Sequence, residues 1–303
     1  MRRASADKLG TRKSLPALAD GATPREISYS FSVQTRAGKA LVRTIENLTG
    51  RPRLLRMALG YETEVEAGRD FWEVMQERYR ITLDLVGQGL ANIPRDGPLV
   101  VVANHPYGIL DGLAMGRILS ESRGDFKIIA NNVFKKAKDL DRVILPIEFA
   151  ETKEAMALNI ATRKEALRYL AEGGTIGIFP GGAVSTSAKP FSRPMDPYWK
   201  TFTAKMIAKS EAQVLPIYFD GRNSRLFQIA SHLNQTLRVA LLINEFDSRI
   251  REPLKVHIGR PLSRAEIAGR AGDPKALMDY LRRETYALNP EPDRDYSYGL
   301  RFD

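Results

Sequence analysis

The sequence predicts an α/β fold with a mixed, mostly parallel central sheet flanked by helices, preceded by a helical section suited to a membrane surface. Three observations carry this reading. Past Pro94, short apolar runs of strand length recur, and the segments between them are long enough to be helices. Before Pro94, basic residues are interleaved with apolar stripes at helical spacing.

Residues 1–25 set Gly10, Pro16, Gly21 and Pro24 among small and charged residues, a basic lead whose composition favours disorder. From Gly38 to Leu48, the residues Leu41, Val42, Ile45 and Leu48 recur at helical spacing until Gly50 and Pro52 interrupt them. A second helix begins near Arg53. Its Leu54, Leu55, Met57, Ala58 and Leu59 alternate with Arg51, Arg53 and Arg56, as in a helix lying in a lipid interface, although core packing gives a similar stripe. Phe71, Val74, Met75, Ile81 and Leu85 predict a third helix over Asp70–Gln88. Residues 26–94 thus form an amphipathic helical section, and residues 95–303 the α/β domain.

In that domain the runs Leu99–Ala103, Phe126–Ala130, Val143–Ile147, Thr175–Phe179 and Val214–Phe219 read as buried strands. Helical stretches over Gly112–Glu121 and Met156–Glu172 lie between them. Leu254–Ile258 adds a late strand and Pro274–Leu288 a closing helix.

Composition bounds the function. The chain has 303 residues, 43% of them hydrophobic, enough for a substantial core. Cysteine is absent, which excludes disulfides, thiolate metal sites and cysteine nucleophiles and fits a reducing compartment. No apolar run has the length of a signal peptide or a membrane span, so a soluble or peripheral protein is expected. The net charge is +10, and residues 1–60 hold twelve Lys/Arg against four Asp/Glu, so +8 of it lies in the first fifth of the chain. Such a block suits an anionic membrane, an acidic carrier protein or nucleic acid, or is simply a solvated arm. It lacks the aromatic interleaving of a nucleic-acid module.

The residues that carry chemistry follow the strands. Leu99–Ala103 runs directly into Asn104-His105-Pro106-Tyr107-Gly108-Ile109-Leu110-Asp111-Gly112. Ligands in open α/β sheets gather outside the carboxyl ends of strands. His105 is one of three histidines, and a turn containing Gly108 and Gly112 can fold Asp111 back onto the imidazole. An aspartate accepting from one ring nitrogen leaves the other free as a base. On spacing alone a second reading stands beside this one, in which His105 is a packed residue and Asp111 caps the following helix. His232 and His257 are remote and carry no carboxylates at ligand spacing, so no metal site is predicted.

Phe179-Pro180-Gly181-Gly182 reads either as a strand-ending turn or as a backbone cradle for a ligand. Neither the phosphate loop nor the dinucleotide fingerprint is present, which argues against nucleotide binding. Arg222 reads either as a surface salt-bridge partner or, with Asn223 and Ser224 after a strand, as a residue that holds a phosphate or carboxylate bidentately.

The nine residues from Asn104 to Gly112 resemble the first motif of the glycerolipid acyltransferase superfamily, which includes the lysophosphatidic acid acyltransferases. More narrowly they resemble the bacterial branch of lyso-ornithine-lipid acyltransferases and proteins labelled hemolysins. The superfamily places four residues between His and Asp; this chain places five, the form associated with that branch. Gly173–Ser185 occupies the place of the Phe-Pro-Glu-Gly motif, with Gly181 where Glu is common, which weakens glycerol-3-phosphate-type acceptors and leaves Ser185 and backbone N–H groups as contacts. Val214–Phe219 resembles the fourth motif, extended by Asp220–Ser224. Ile128–Phe134 falls where the second motif belongs but lacks its usual arginine.

The resemblance implies the glycerolipid acyltransferase fold and O-acyl transfer from acyl-acyl carrier protein or acyl-CoA to the hydroxyl of a lysolipid. The acceptor would be lyso-ornithine lipid or another lyso-amino-lipid, with lysophosphatidate as the alternative and a lipid or thioester hydrolase as the rival. His105 would be general base and Asp111 its orienting partner. Asn104, Gly108, Asn132, Phe179, Pro180, Gly181, Gly182, Ser185, Arg222 and Asn223 would contact substrate, with Asn104, Gly181 and Gly182 near the oxyanion. No cofactor, metal or nucleic acid is implied beyond the thioester co-substrate; the partners are membrane lipids and the thioester carrier. The place implied is peripheral, on the cytoplasmic face of a bacterial inner membrane. A serine hydrolase would need a Gly-x-Ser-x-Gly elbow, and Ser185 sits in Gly-Gly-Ala-Val-Ser instead.

Overall fold

The computed structural model describes residues 27–132, 139–148, 152–291 and 296–301. The lead over 1–25 lies outside them, as do Val133 and Phe134 of the second-motif region. The chain opens with α1 (Arg36–Leu48), α2 (Arg51–Ala58), α3 (Tyr61–Glu66) and α4 (Phe71–Tyr79), then β1 (Leu83–Val86) and β2 (Leu99–Ala103). It continues through α5 (Ile109–Arg123), β3 (Lys127–Asn131), β4 (Ile144–Ile147), α6 (Lys153–Ala171) and β5 (Thr175–Ile178). A two-stranded hairpin, β6 (Thr186–Ser187) and β7 (Pro194–Met195), precedes α7 (Thr201–Ala208) and β8 (Gln213–Phe219). Last come α8 (Arg225–Leu233), α9 (Gln235–Arg249), β9 (Leu254–Ile258), α10 (Arg264–Ala268) and α11 (Pro274–Tyr286).

The main sheet has the order β1-β9-β8-β2-β5-β3-β4. β8, β2, β5, β3 and β4 are parallel, whereas β9 runs antiparallel to β8 and parallel to β1. The expected mixed, mostly parallel sheet is therefore present. β2 shows why its sequence is an unbroken apolar run. Leu99, Val101 and Ala103 point into a core shared with α4, α5 and α9, while Val100 and Val102 point into one shared with α6, α7 and α11. A strand covered on both faces has no polar side to alternate with.

Three expectations change. Asp70–Gln88 is not one helix. α4 stops at Tyr79, Arg80 adopts the left-handed conformation (φ 56°), and the Ile81 N–H returns to the Gln76 carbonyl at 2.9 Å. Ile81 then faces the core and Leu85 packs against it from β1, which pairs with β9. Four-residue spacing satisfies a helix and, being even, also a strand, so the apolar pattern could not separate the two. Residues 26–94 also do not stand apart from 95–303: Leu54, Trp72, Met75 and Tyr79 belong to the same core cluster as Met115 and Val101.

The third change concerns α2, expected as an interfacial helix. Its Leu54 is fully buried, Arg51 donates to the Ile27 carbonyl and Asn47 Oδ1, and Arg53 pairs with Asp247 at 2.6 Å. Arg51 and Arg53 thus face protein rather than lipid, while Arg56 is exposed and bonds to the Pro52 carbonyl of its own helix. Among the described residues, no helix is long and apolar enough to cross a membrane.

The layer over β2 depends on one close approach. A Cβ on Gly116 of α5 would lie 2.1 Å from the Trp72 ring of α4, so only glycine lets these helices touch. Gly116→Ala gains about 1 kcal/mol of helix propensity but overpacks the core, which costs about 1–3 kcal/mol. Denaturant unfolding is expected to show net destabilisation; a more stable variant would contradict this packing.

Candidate active site

Three loops meet where the parallel strands end. β2 lies between β8 and β5, so the segments after these strands, beginning at Asn104, Phe179 and Asp220, are neighbours at the carboxyl edge of the sheet. Asn104 closes this edge. Its amide donates to the Phe219 carbonyl at 2.9 Å and accepts from the Phe219 N–H at 2.8 Å, extending the β2–β8 pairing by a side chain. Its expected place beside the substrate is thus taken by a structural task, although it also borders the cleft described below.

Gly108, at φ 85°, turns the chain into α5, and the space a Cβ would need there is taken up by Tyr29 and Val184. Asp111 occupies the third position of α5 and is fully buried. Its Oδ2 accepts from the backbone N–H groups of Tyr107 (2.8 Å) and Gly108 (3.0 Å), so Asp111 caps the helix from within its first turn, the helix starting at Ile109 rather than near Gly112 as expected. The same oxygen lies 3.0 Å from His105 Nδ1. Capping and orienting are one arrangement here. The Nδ1–H direction is oblique to the oxygen, so the contact is electrostatic rather than a linear hydrogen bond; unliganded sites commonly align such bonds only with substrate present. Burial pushes the Asp111 carboxyl pKa up, opposed by His105 and by the two backbone donors.

His105 is held from behind as well. Phe179 stacks on the imidazole, centroids 4.2 Å apart at 26°. The His105 N–H donates to Asp196 Oδ1 at 3.1 Å, and the His105 carbonyl accepts from the Ser185 N–H at 2.8 Å. Asp196 is fully buried; Ser185 Oγ donates to its Oδ1 and the Trp199 indole to its Oδ2 at 2.9 Å. Behind it, buried Arg282 donates to the Asp196 carbonyl at 3.2 Å. Sequence reasoning missed Asp196, since its partners lie 91, 11 and 3 residues away and no local pattern marks it.

Ser185 is therefore a support for the histidine loop. Its hydroxyl hydrogen goes to Asp196, not to His105. Pro180 accepts from the Lys200 N–H at 2.9 Å, and the Gly182 N–H, in a left-handed turn (φ 67°), is committed to the Phe179 carbonyl at 3.0 Å. Of the two glycines expected near the oxyanion, Gly182 has no free donor. Asn132 is exposed just past β3, two strands from β2.

Beside Asn104 and Ser185 opens a cleft of about 400 Å³ whose walls include Arg193, Arg222, Asn223, Arg225 and Gln228. Arg193 is paired with Glu291 at 3.1 Å, and Asp220 also borders the space. Arg222 is exposed at the rim. Asn223 is 3% exposed, yet neither end of its amide has a partner among the described residues; Gln228 Nε2 is likewise unmatched. Buried polar groups without partners are rare unless a ligand or water supplies them. Gly221 permits this loop: at φ 116°, a Cβ would lie 1.7 Å from the Tyr107 hydroxyl, which itself donates to the Asp220 carbonyl at 3.0 Å.

The sequence pattern of a protein family described as acyltransferase matches residues 40–294, spanning His105, Asp111, Asp196 and the cleft. The chain belongs to this acyltransferase family. Its relatives include a protein of Bacteroides thetaiotaomicron named lyso-glycine lipid O-acyltransferase, 24% identical over 75% of this chain and 82% of that one. A protein of the same name from Phocaeicola vulgatus is 26% identical over 66% of this chain and 71% of the relative. Among solved structures, the 1-acyl-sn-glycerophosphate acyltransferase of Thermotoga maritima is similar at a TM-score of 0.46 and 17% identity, over 86% of this chain and 83% of that one.

In this acyltransferase, Ser185→Ala removes one donor from a buried carboxylate and should lower stability by about 1–3 kcal/mol while leaving most of the turnover. Loss of a serine nucleophile would instead cost about 10⁶-fold, and a deficit of that order in folded protein would overturn the supporting role.

Proposed function

We propose that the protein is a lysolipid O-acyltransferase that moves a fatty acyl chain from acyl carrier protein or CoA to the hydroxyl of a lyso-amino-acid lipid. The observation that carries this reading is the pairing of His105 with buried Asp111 at 3.0 Å, which leaves Nε2 with no partner among the described residues. The acceptor hydroxyl gives its proton to Nε2 as its oxygen attacks the thioester carbonyl. The tetrahedral intermediate collapses, the carbon–sulfur bond breaks and the pantetheine thiolate leaves, to be protonated by the imidazolium. Asp111 holds the tautomer and stabilises the imidazolium as it forms. The Gly181 N–H, uncommitted among the described residues, is the donor we assign to the oxyanion.

The acceptor class is supported by the cleft. An amino acid joined to a fatty chain through its nitrogen keeps its carboxylate, and Arg222 with the unmatched amide of Asn223 forms a site for such a group in the cleft that Asn104, the residue before His105, and Ser185 border. The curated relatives, named for lyso-glycine lipid, agree with that class. Lyso-ornithine lipid shares the carboxylate. Lysophosphatidate would also meet arginine, but Gly181 stands where the superfamily's phosphate motif commonly has glutamate. Hydrolysis is disfavoured because Ser185 is bonded away from His105.

Free-thiol release from acyl carrier protein and CoA thioesters, measured with lyso-glycine lipid, lyso-ornithine lipid and lysophosphatidate, tests this reading. A carboxylate-bearing lysolipid is expected to stimulate release, and His105→Ala to lower it by about 10²–10⁴. Arg222→Ala should raise KM for that acceptor by about tenfold to a hundredfold, the effect of losing a charged hydrogen bond. Release equal in His105→Ala and wild type, or equal with and without acceptor, would refute the mechanism.

A further inference from the structure

Exposed apolar residues gather at one place beside the cleft. α8 turns Phe227 and Ala230 inward, but Leu226, Ile229 and Leu233, at i, i+3 and i+7, form a ridge on its outer side. Leu226 is 59% and Leu233 73% exposed. The tip of the β6–β7 hairpin adds Phe191, 77% exposed. Hairpin and helix form one surface: Arg225 donates to the Phe191 carbonyl at 3.2 Å, the Ser187 N–H donates to Gln228 Oε1 at 2.9 Å, and His232 Nε2 lies 2.9 Å from the Ser187 carbonyl.

Apart from Asp220 and from Glu291, which pairs with Arg193 at the cleft, the charge of this surface is basic. No acidic residue occurs from Gly181 to Met195 or from Gly221 to Asn244, whereas Lys189, Arg193, Arg222 and Arg225 do. Lys189, Arg222 and Arg225 are exposed, and Arg222 and Arg225 also border the cleft. Apolar side chains standing out of a cationic rim match the cross-section of an anionic bilayer interface, where the chains enter below the headgroups and the cations stay among them. An acidic protein would be drawn by the same charge but would leave an aliphatic ridge and a phenyl ring without a use.

We infer that α8 and the β6–β7 hairpin are the membrane-docking face of this protein, inserting Phe191, Leu226, Ile229 and Leu233 into an anionic lipid surface so that the mouth of the arginine cleft opens onto the bilayer. The choice of a membrane as occupant rests on the lysolipid reading. This placement differs from the N-terminal basic helices that the sequence suggested. It lets a lysolipid headgroup pass from the membrane to Arg222 and Asn223 without crossing open water.

Co-sedimentation of the full chain with vesicles of phosphatidylcholine, and of phosphatidylcholine with phosphatidylglycerol in equal parts, tests it. Wild type is compared with the triple variant Phe191→Ser, Leu226→Ser, Leu233→Ser and with Leu41→Ser, Leu48→Ser on α1, whose leucines are also exposed. Thermal unfolding checks that each variant is folded, and thiol release with detergent-dispersed acceptor checks the catalytic centre. The expected result is binding favoured by phosphatidylglycerol, a loss of partition of about tenfold or more in the triple variant, unchanged binding in the α1 variant, and retained turnover on dispersed acceptor. Wild-type partition by the folded triple variant, loss of binding only in the α1 variant, or absence of vesicle binding by wild type would each overturn the docking face. So would loss of affinity for acyl carrier protein in the triple variant with vesicle binding intact. Partition is read without catalysis, so a chain that binds vesicles but transfers no acyl group would sink the transferase reading alone.

Discussion

A carboxylate with no exposure to water needs donors, and Asp111 gathers them on Oδ2 while its Oδ1 has no partner among the described residues; that constraint organises the site. Two of its donors are the backbone N–H groups of Tyr107 and Gly108, which obliges the chain to turn sharply after β2 and start α5 at once. The turn needs glycine at 108, with its positive φ and with Tyr29 and Val184 pressed close. His105 falls inside that turn, its Nδ1 beside the same oxygen. Helix capping and the contact with the His105 ring therefore share one atom, and loss of either would disturb the other.

Asp196 does for the backbone of His105 what Asp111 does for its ring. It joins the histidine, Ser185 and Trp199 into one buried cluster backed by Arg282. Positioning to a fraction of an ångström is worth much of an enzyme's rate. With the backbone clamped on both sides and Phe179 stacked on the ring, His105 has little freedom left except to rotate toward Asp111 or substrate.

Much of this was legible in the sequence, for physical reasons. β2, β5 and β8 are covered on both faces or nearly so, and appear as unbroken apolar runs. His105 and Asp111 stand out because a strand delivers them to a glycine-containing turn. β1 was hidden because Ile81 and Leu85 satisfy helix and strand periods equally. α8 went unread although Leu226, Ile229, Ala230 and Leu233 recur at helical spacing, because it is short and follows directly on the motif extension that ends at Ser224. Asp196 carries no local signal. Its role exists only once β7, the β5–β6 loop and the turn after β2 have come together. The basic residues of α2 misled for a related reason: charge in a sequence does not say whether it faces lipid or, like Arg53, an aspartate nearly two hundred residues on.

The central claim is that Asp111 fixes the tautomer of His105 and leaves Nε2 as the base. Nitrogen chemical shifts of the imidazole, read by NMR on ¹⁵N-histidine-labelled protein above the histidine titration and assigned with His105→Gln, test it without any substrate. The account predicts a neutral ring protonated at Nδ1 and bare at Nε2, a balance that Asp111→Asn shifts. A neutral ring protonated at Nε2, unchanged by Asp111→Asn, would contradict it.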